Sequence, residues 1–101
     1  MPTLMVRYKV KDEGVPEAVA AVQAAFAAIE AKRLPRLRYA YFHHPESREF
    51  FALLELEEGA ENPLFGIPEA RALQATVARH ALGDAPTPRP WVMLGSHGFA
   101  R

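Results

Sequence analysis

The first segment of the chain alternates between apolar and polar residues with a period of two. One parity is apolar and the other carries the charge: Leu4, Val6, Tyr8 and Val10 against Arg7, Lys9 and Lys11. Because successive side chains of a strand point to opposite faces, this segment is predicted to form a half-buried β-strand.

The next segment has the period of an α-helix. Its apolar residues recur three and four positions apart, at Val15, Val19, Val22, Phe26 and Ile29. Pro16 suits the first turn, and Lys32 and Arg33 suit the last turn, where a cation opposes the helix dipole. Since Pro35 cannot continue a helix, we predict an amphipathic helix that ends before it.

A hairpin is predicted in the middle of the chain. The segment Leu37–His43 is rich in aromatic residues and is followed by the turn-forming sequence HPES. The segment Glu49–Glu57 then carries apolar residues of both parities, namely Phe50, Phe51, Leu53, Leu54 and Leu56. Two strands joined by a short turn form a β-hairpin.

A second helix and a last strand complete the pattern. The helix is predicted to begin at Pro68 and to end near Leu82, with an inner face formed by Ala70, Leu73, Val77 and Ala81. Residues 83–90 are rich in proline and cannot continue it, and Trp91–Phe99 is predicted to be the last strand.

The order strand, helix, strand, strand, helix, strand predicts a ferredoxin-like α+β sandwich, formed as one domain by residues 1–101. Right-handed crossovers give one antiparallel sheet of order 4-1-3-2 with both helices on one face. The helices cover only that face, yet the third and last strands are apolar at both parities. A second copy of the chain is the expected cover for the helix-free face, which predicts a homodimer.

Composition and charge narrow the functional classes. The chain has 101 residues, 12 basic and 12 acidic side chains, and no cysteine. Without cysteine, disulfide frameworks, thiolate zinc sites, iron–sulfur ligation and a cysteine nucleophile are excluded. Balanced, scattered charge and the lack of about 18 consecutive apolar residues argue against nucleic acid or a membrane as a partner. A cytoplasmic protein is expected, and the scarcity of asparagine and glutamine suggests a thermophilic or GC-rich source.

Three stretches of the sequence resemble segments that occur together in one known family. They are Val6–Val10, the helix that follows Gly14–Glu17 and, above all, Glu61–Gln74. Together with the closing Leu94–Ser96, they resemble the antibiotic-biosynthesis-monooxygenase-like family of dimeric α+β barrel proteins. The resemblance extends over nearly the whole chain.

The resemblance implies a homodimer whose two sheets pack face to face into a barrel, with a pocket between the sheet and the helices of each subunit. Some members oxidise aromatic polyketides with molecular oxygen and without a cofactor, so no cofactor is expected. Related members of the same fold cleave haem with an asparagine on the first strand, a tryptophan, and a histidine on the second helix. Here the first strand lacks asparagine and the only tryptophan is Trp91, so His80 alone fits that pattern.

Two residues are candidates for catalysis. His80 follows Leu73 by seven positions on the second helix, which turns its imidazole toward or beside the sheet, where it would serve as a base or ligand. The alternative is a helix-end histidine bonded to a carbonyl. Tyr8 shares the parity of the apolar positions, and its hydroxyl would bind a phenolic or carbonyl substrate unless it only packs in the core.

Four aromatic residues are candidates for substrate binding, namely Tyr39, Tyr41, Phe65 and Trp91. The tyrosines would place hydroxyls in an apolar pocket, Phe65 belongs to the loop motif of the resemblance, and Trp91 would stack on a flat ligand. The alternative for the tyrosines is packing in the core, and for Trp91 an anchor in the core or the dimer.

No metal site is predicted. Glu55 and Glu57 share one face of the third strand and are expected to pair with Arg7 or Lys9 rather than to act together on a substrate. His43 and His44 point to opposite faces because they are adjacent in a strand, and His97 belongs to the strand at the other sheet edge.

Three functions follow from these observations. The first is a homodimeric, cofactor-independent monooxygenase-like enzyme that acts on a small apolar, aromatic or quinol-type compound. The second is a non-catalytic dimer that binds a small ligand or serves as a scaffold. The third is an RNA-binding module, which has the same order of elements. Two features argue against RNA binding: the third strand lacks the expected glycine, and it carries several glutamates.

Overall fold

The computed structural model describes residues 3–34, 37–56, 62–83 and 86–98. The elements follow the predicted order, with a short 3₁₀ helix added at Pro63–Gly66. The strands are β1 (Thr3–Lys9), β2 (Leu37–His43), β3 (Glu49–Leu56) and β4 (Arg89–Trp91), and the helices are α1 (Gly14–Lys32) and α2 (Pro68–His80).

The four strands form one antiparallel sheet in the order β2-β3-β1-β4, which confirms the predicted topology. The pairing register aligns side chains of β1, β3 and β2 in three rows across the helix-covered face. The rows are Leu4, Leu54 and Tyr39; Val6, Ala52 and Tyr41; and Tyr8, Phe50 and His43. These rows are the floor on which both helices pack.

Helix α1 buries small residues where larger ones were predicted. The predicted apolar line, Val15 to Ile29, is half-buried apart from Ile29, and the most buried positions are Gly14, Ala18, Ala25 and Ile29. The helix ends at Lys32 because Arg33 takes a left-handed conformation, with φ of 49°, and its N–H donates to the carbonyls of Ile29 and Glu30. Pro35, predicted to end the helix, lies outside the described residues.

Helix α1 is long and apolar enough, by length and composition alone, to cross a membrane. In this fold it packs on the sheet and on α2 instead. Ala18 and Ala25 are fully buried in the same cluster as Phe50, Leu73 and Val77. It is therefore placed as a core helix of an α+β domain.

Helix α2 ends at His80, two residues before the predicted end, because the chain is drawn into contact with β1. Ala81 takes an extended conformation and forms an isolated bridge with Val10. The N–H of Leu82 donates to the carbonyl of Lys9 at 2.8 Å, and the N–H of Lys11 donates to the carbonyl of His80 at 3.0 Å. The end of α2 is thus fixed to the end of β1.

Strand β4 corrects the prediction of a strand over Trp91–Phe99. The observed strand is Arg89–Trp91, and residues 92–98 form no regular structure. Trp91 pairs with Thr3, the first described residue of β1, and the described pairing of the two strands ends there. Leu94 is accordingly 97% exposed, and Phe99 lies outside the described residues.

The opposite face of the sheet is covered by neither helix. Its apolar side chains include Met5, Ala40, Phe42, Phe51 and Leu53, together with Trp91, which pairs with Thr3. The rings of Phe42 and Phe51 contact each other with centroids 5.7 Å apart. Two ion pairs lie on this face, Arg7 with Glu49 at 2.6 Å and Arg38 with Glu55 at 3.0 Å, and Lys9 and Arg89 lie on it as well. Phe42 is 51% exposed on this face.

Candidate functional site: a cavity between the sheet and helix α2

A cavity of about 380 Å³ lies between the helix-covered face of the sheet and α2. Its floor is formed by the first two rows, together with Tyr8 of the third. Its roof is formed by α2 and the 3₁₀ helix, through Leu64, Phe65, Leu73, Gln74, Val77 and Ala78. Pro86 and Pro88, in the segment before β4, close one side.

The cavity exists because the middle of β3 is small. Ala52 stands between Phe50 and Leu54 on the same face of the strand, so the centre of the floor lacks a bulky side chain. In the next row the same space is filled, since Phe50 stacks on Tyr8 at 5.5 Å and on His43 at 4.5 Å between ring centroids. The hollow therefore ends at the Phe50 ring, which does not line it.

Three tyrosines supply most of the polar groups in the cavity. The hydroxyls of Tyr8 and Tyr41 share a short hydrogen bond. Burial raises the pKa of Tyr8 to about 12, and it holds the pKa values of Tyr39 and Tyr41 well above the usual range. All three side chains are therefore neutral phenols near pH 7, able both to donate and to accept a hydrogen bond.

The third phenol, Tyr39, is held differently. Its hydroxyl makes no hydrogen bond within the described part of the chain. Its ring stacks on Phe26 of α1, with centroids 5.0 Å apart, and meets Tyr41 edge to face. Tyr39 is thus positioned by ring packing, and its hydroxyl is available to another molecule.

Two amide side chains that the sequence analysis did not single out also line the cavity. The Oδ1 atom of Asn62 accepts a hydrogen bond from the N–H of Leu64 at 2.9 Å and so caps the 3₁₀ helix. Gln74 lies on α2 one turn before Ala78, beside the apolar residues of the roof. An Asn directly before a Pro was the available signal for the cap; nothing in the pattern distinguished Gln74 from a surface residue.

His80 does not belong to the cavity, although Tyr8 does. Its imidazole lies on the other side of α2, where Nε2 shares a short hydrogen bond with the carboxylate of Glu17 on α1. A carboxylate only accepts, so Nε2 carries the proton, and Nδ1 is buried without a hydrogen-bond partner. The alternative prediction, a bond to a carbonyl, also differs from this arrangement.

The Glu17 carboxylate joins the two helices. It accepts a second hydrogen bond from Arg79, and the bond to His80 is the main cause that lowers the pKa of Glu17 below its usual value. Gly14 packs directly on the His80 ring, because a Cβ at this position would lie 2.7 Å from Cβ and Cγ of His80. These contacts assign His80 to the packing of α1 against α2.

The two remaining predicted binding residues are placed differently from each other. Phe65 lines the cavity from the 3₁₀ helix and is 65% exposed, which puts its ring at the mouth. Trp91 is 55% exposed on β4 and is not among the described residues around the cavity.

The predicted ion pairs form with other partners. Glu55 accepts a hydrogen bond from the hydroxyl of Thr3 at 2.7 Å and pairs with Arg38, whereas Arg7 pairs with Glu49. Glu57 lies outside the described residues. His43 is bonded through Nε2 to the carbonyl of Ser47 at 2.7 Å, and the described part of the chain contains no group of three or more side chains suited to a metal ion.

Comparison with known proteins identifies the fold of this chain. No family model matches the chain, and no curated protein matches its sequence. Solved structures do match. One is described as an antibiotic biosynthesis monooxygenase and matches with a TM-score of 0.63 and 16% identity, over 94% of this chain and 100% of that one. A candidate antibiotic biosynthesis monooxygenase from Nitrosomonas europaea matches with a TM-score of 0.67 and 15% identity, over the same shares of the two chains.

A third solved structure is a dimeric ferredoxin-like protein of unknown function from Jannaschia sp. CCS1. It has a TM-score of 0.60 and 12% identity, over 91% of this chain and 98% of that one. This chain has the ferredoxin-like α+β fold of these proteins. At such identities the likeness concerns the path of the backbone, and the chemistry has to be argued from the cavity itself.

Proposed function

We propose that the protein is a homodimer whose cavity binds a small aromatic compound of the phenol or quinol type, on which it acts as a cofactor-independent, monooxygenase-like oxidoreductase. The observation that carries this proposal is the largely apolar cavity lined by the paired hydroxyls of Tyr8 and Tyr41. Apolar walls suit a flat ring, and a few convergent hydroxyls suit an oxygen substituent on it.

The Tyr8–Tyr41 pair is suited to donate a hydrogen bond rather than to remove a proton. With the pKa of Tyr8 at about 12 and that of Tyr41 higher still, both hydroxyls keep their protons near pH 7. A fixed donor of this kind stabilises an oxygen on which negative charge develops. The described lining holds no carboxylate and no imidazole, so the substrate must be acidic enough to release its proton to water.

The proposed reaction begins at a CH₂ group conjugated with a carbonyl, as in anthrone or in the keto tautomer of a quinol. Loss of a proton gives an enolate whose oxygen accepts a hydrogen bond from the tyrosine pair, which lowers the cost of the charge. The enolate then transfers electrons to molecular oxygen and forms a C–O bond. Overall, CH₂ and O₂ give C=O and H₂O, so no external reductant is needed.

The helix-free face of the sheet supports the dimer. Phe42, Phe51 and Leu53 form an apolar patch in the middle of this face, between the ion pairs of Arg7 and Arg38. A second copy would bury this patch against its own equivalent, as in a two-fold interface. The structural neighbour from Jannaschia is itself described as dimeric. We also propose that the protein is cytoplasmic; the neighbours that share its fold are soluble proteins that have been crystallised.

A second candidate function is non-catalytic binding of the same class of ligand. It is favoured by the position of His80, since the one imidazole predicted as a base is bonded to Glu17 on the far side of α2. The two functions share the cavity and differ only in whether oxygen is consumed.

The test combines native mass spectrometry with oxygen uptake, using 1,4-dihydroxynaphthalene and anthrone as probes. The dimer is expected to retain up to two probe molecules, and oxygen uptake above the uncatalysed rate is expected with at least one probe. Ala52→Leu should abolish both, because it fills the floor of the cavity. Ala72→Leu makes the same change at an exposed position of α2 and should alter neither.

Tyr41→Phe separates the two functions. Loss of one donor to a developing oxyanion typically lowers kcat about a hundredfold, whereas the bound amount should fall much less. Binding without catalysed oxygen uptake would support the non-catalytic alternative. A monomer, or equal binding to wild type and Ala52→Leu, would contradict the proposal.

A further inference from the structure

A second cavity lies next to the first, between the end of α1 and the start of β2. Its volume is about 350 Å³. Its walls combine apolar side chains with polar surface, and one acidic and one basic side chain stand at its rim: Phe26, Ile29, Leu34 and Leu37, with Glu30 and Arg33. Both charged residues are exposed, so the rim is open to solvent.

Tyr39 is the described residue that lines both cavities. On one side its ring faces the space above Ala52 and Leu54, beside Tyr41. On the other side it stacks on Phe26, which belongs to the second cavity. The Tyr39 side chain therefore stands between two spaces of similar size.

The ring of Tyr39, rather than its hydroxyl, separates the first cavity from the second. Tyr8 and Tyr41 fix each other through their hydroxyls, but the hydroxyl of Tyr39 makes no hydrogen bond in the part of the chain that the structure describes. What Tyr39 contributes in the free protein is ring volume. Removal of the hydroxyl should thus leave the separation intact, and removal of the ring should join the two cavities.

We infer that Tyr39 is a specificity-determining residue: its ring limits the length of the ligand, and the second cavity accepts an unbranched alkyl substituent once that ring is removed. This inference rests on the proposed binding of a phenolic ring in the first cavity. The side chains of Phe26, Ile29, Leu34 and Leu37 in the second cavity suit an alkyl chain, and its open rim suits the end of that chain.

A series of 4-alkylphenols, from 4-ethylphenol to 4-decylphenol, tests the inference by titration calorimetry. For wild type, affinity should rise about fourfold per added methylene while the chain is buried, and then stop rising once the first cavity is full. Tyr39→Ala should weaken the binding of the shortest members, which lose their contact with the ring, and should continue to gain affinity along the series. The ratio of affinities between the longest and the shortest member should be at least about tenfold higher in the variant than in wild type.

Two control variants separate the ring of Tyr39 from other effects. Tyr39→Phe keeps the ring and should keep the wild-type length limit. Leu82→Ala removes a large, exposed apolar side chain after α2, away from both cavities and from the proposed dimer face, and should also keep that limit. An unchanged length limit in Tyr39→Ala, or a shifted limit in Tyr39→Phe, would overturn the inference.

A crystal structure of unliganded Tyr39→Ala makes the test independent of binding. One continuous cavity from Ala52 to Leu37 supports the inference, and two separate cavities overturn it. Failure of even 4-ethylphenol to bind wild type would instead contradict the proposed function, so the two failures are distinguishable.

Discussion

One face of one sheet is packed shut at one end and left hollow at the other. At the closed end, Phe50 and Val10 are almost completely buried, and aromatic rings stack along the row of Tyr8 and His43. At the hollow end, the row of Ala52 leaves a cavity under α2. A small domain has limited apolar area to bury, so a dense cluster at one end compensates for the packing that a cavity forgoes at the other.

Helix α2 contributes to both ends through different sides of its surface. Leu73 and Val77 belong to the roof of the cavity, whereas Thr76 and His80 are buried as well but do not line it. The His80 side is attached to α1 through Glu17 and to β1 through backbone hydrogen bonds. The closed end thus holds the roof of the cavity in place, which a preformed binding site requires.

The largest expected effect comes from a ring removed at the closed end. Phe50→Ala should lower the free energy of unfolding by about 3–5 kcal/mol, because the ring is 1% exposed and leaves a void between Tyr8 and His43. Phe65→Ala removes the same ring from the mouth of the cavity and should cost less than about 1 kcal/mol. Urea unfolding at one fixed protein concentration measures both, since dimerisation makes stability depend on concentration. An equal loss of unfolding free energy in the two variants would show that the closed end is not packed more tightly than the hollow end.

Most of the fold was predictable because its signals are local. The strand Leu37–His43 is confirmed residue for residue, since aromatic residues cluster between a proline and a turn. The start of α2 at Pro68 is also confirmed, because proline is favoured in the first turn. Strand β4 was misplaced for a non-local reason: its length depends on its pairing with β1, and apolar sequence continues beyond Trp91, where the described pairing ends.

The cavity was predictable in part. Parity placed Tyr8, Tyr39 and Tyr41 on the helix-covered face, where all three line the cavity. Helical spacing could not decide which side of α2 His80 occupies, because a position beside the sheet-facing stripe can face either the cavity or α1. The decisive feature is Gly14, whose missing side chain makes room for the imidazole, and that contact joins residues 66 positions apart in sequence.

The next prediction concerns that contact between Gly14 and His80. Gly14→Ala should lower the free energy of unfolding by about 1–3 kcal/mol, because the new Cβ would lie 2.7 Å from Cβ and Cγ of His80 and neither atom can move freely. The loss goes against helix propensity, which favours alanine.

A double-mutant cycle isolates the cause. In the background of His80→Ala, the same Gly14→Ala change should cost little, since the ring that it would meet is gone. Gly59 lies outside the described residues, and Gly66 has open space around its Cβ position, so Gly66→Ala is the matched control. An equal loss with and without His80 would show that α1 does not pack on the imidazole in this way.

The smallest effect should be the acid dependence of the closed end. The pKa of Glu17 is lowered in the folded protein, chiefly by the hydrogen bond to His80 and also by Arg79. A lowered folded-state pKa stabilises the fold above the unfolded-state value, near 4.5, and this contribution is lost as the pH falls through the folded-state pKa. Wild type should therefore exceed Glu17→Gln in stability at pH 7 by more than at pH 3. Urea unfolding of both proteins at the two pH values gives the difference directly.

The change in stability between pH 7 and pH 3 distinguishes the two ends, because the tyrosines of the hollow end do not titrate in that pH range. The phenols of the cavity have raised pKa values, so Tyr8, Tyr39 and Tyr41 keep their protons throughout acid titration. The pKa of Glu49 is also lowered, by Arg7, but that pair is present in both proteins and cancels in the comparison. A stability difference that is constant from pH 7 to pH 3 would mean that Glu17 joins the helices by packing alone. A difference that shrinks in acid would locate an ionic attachment of α1 to α2 at the closed end, outside the cavity that α2 covers.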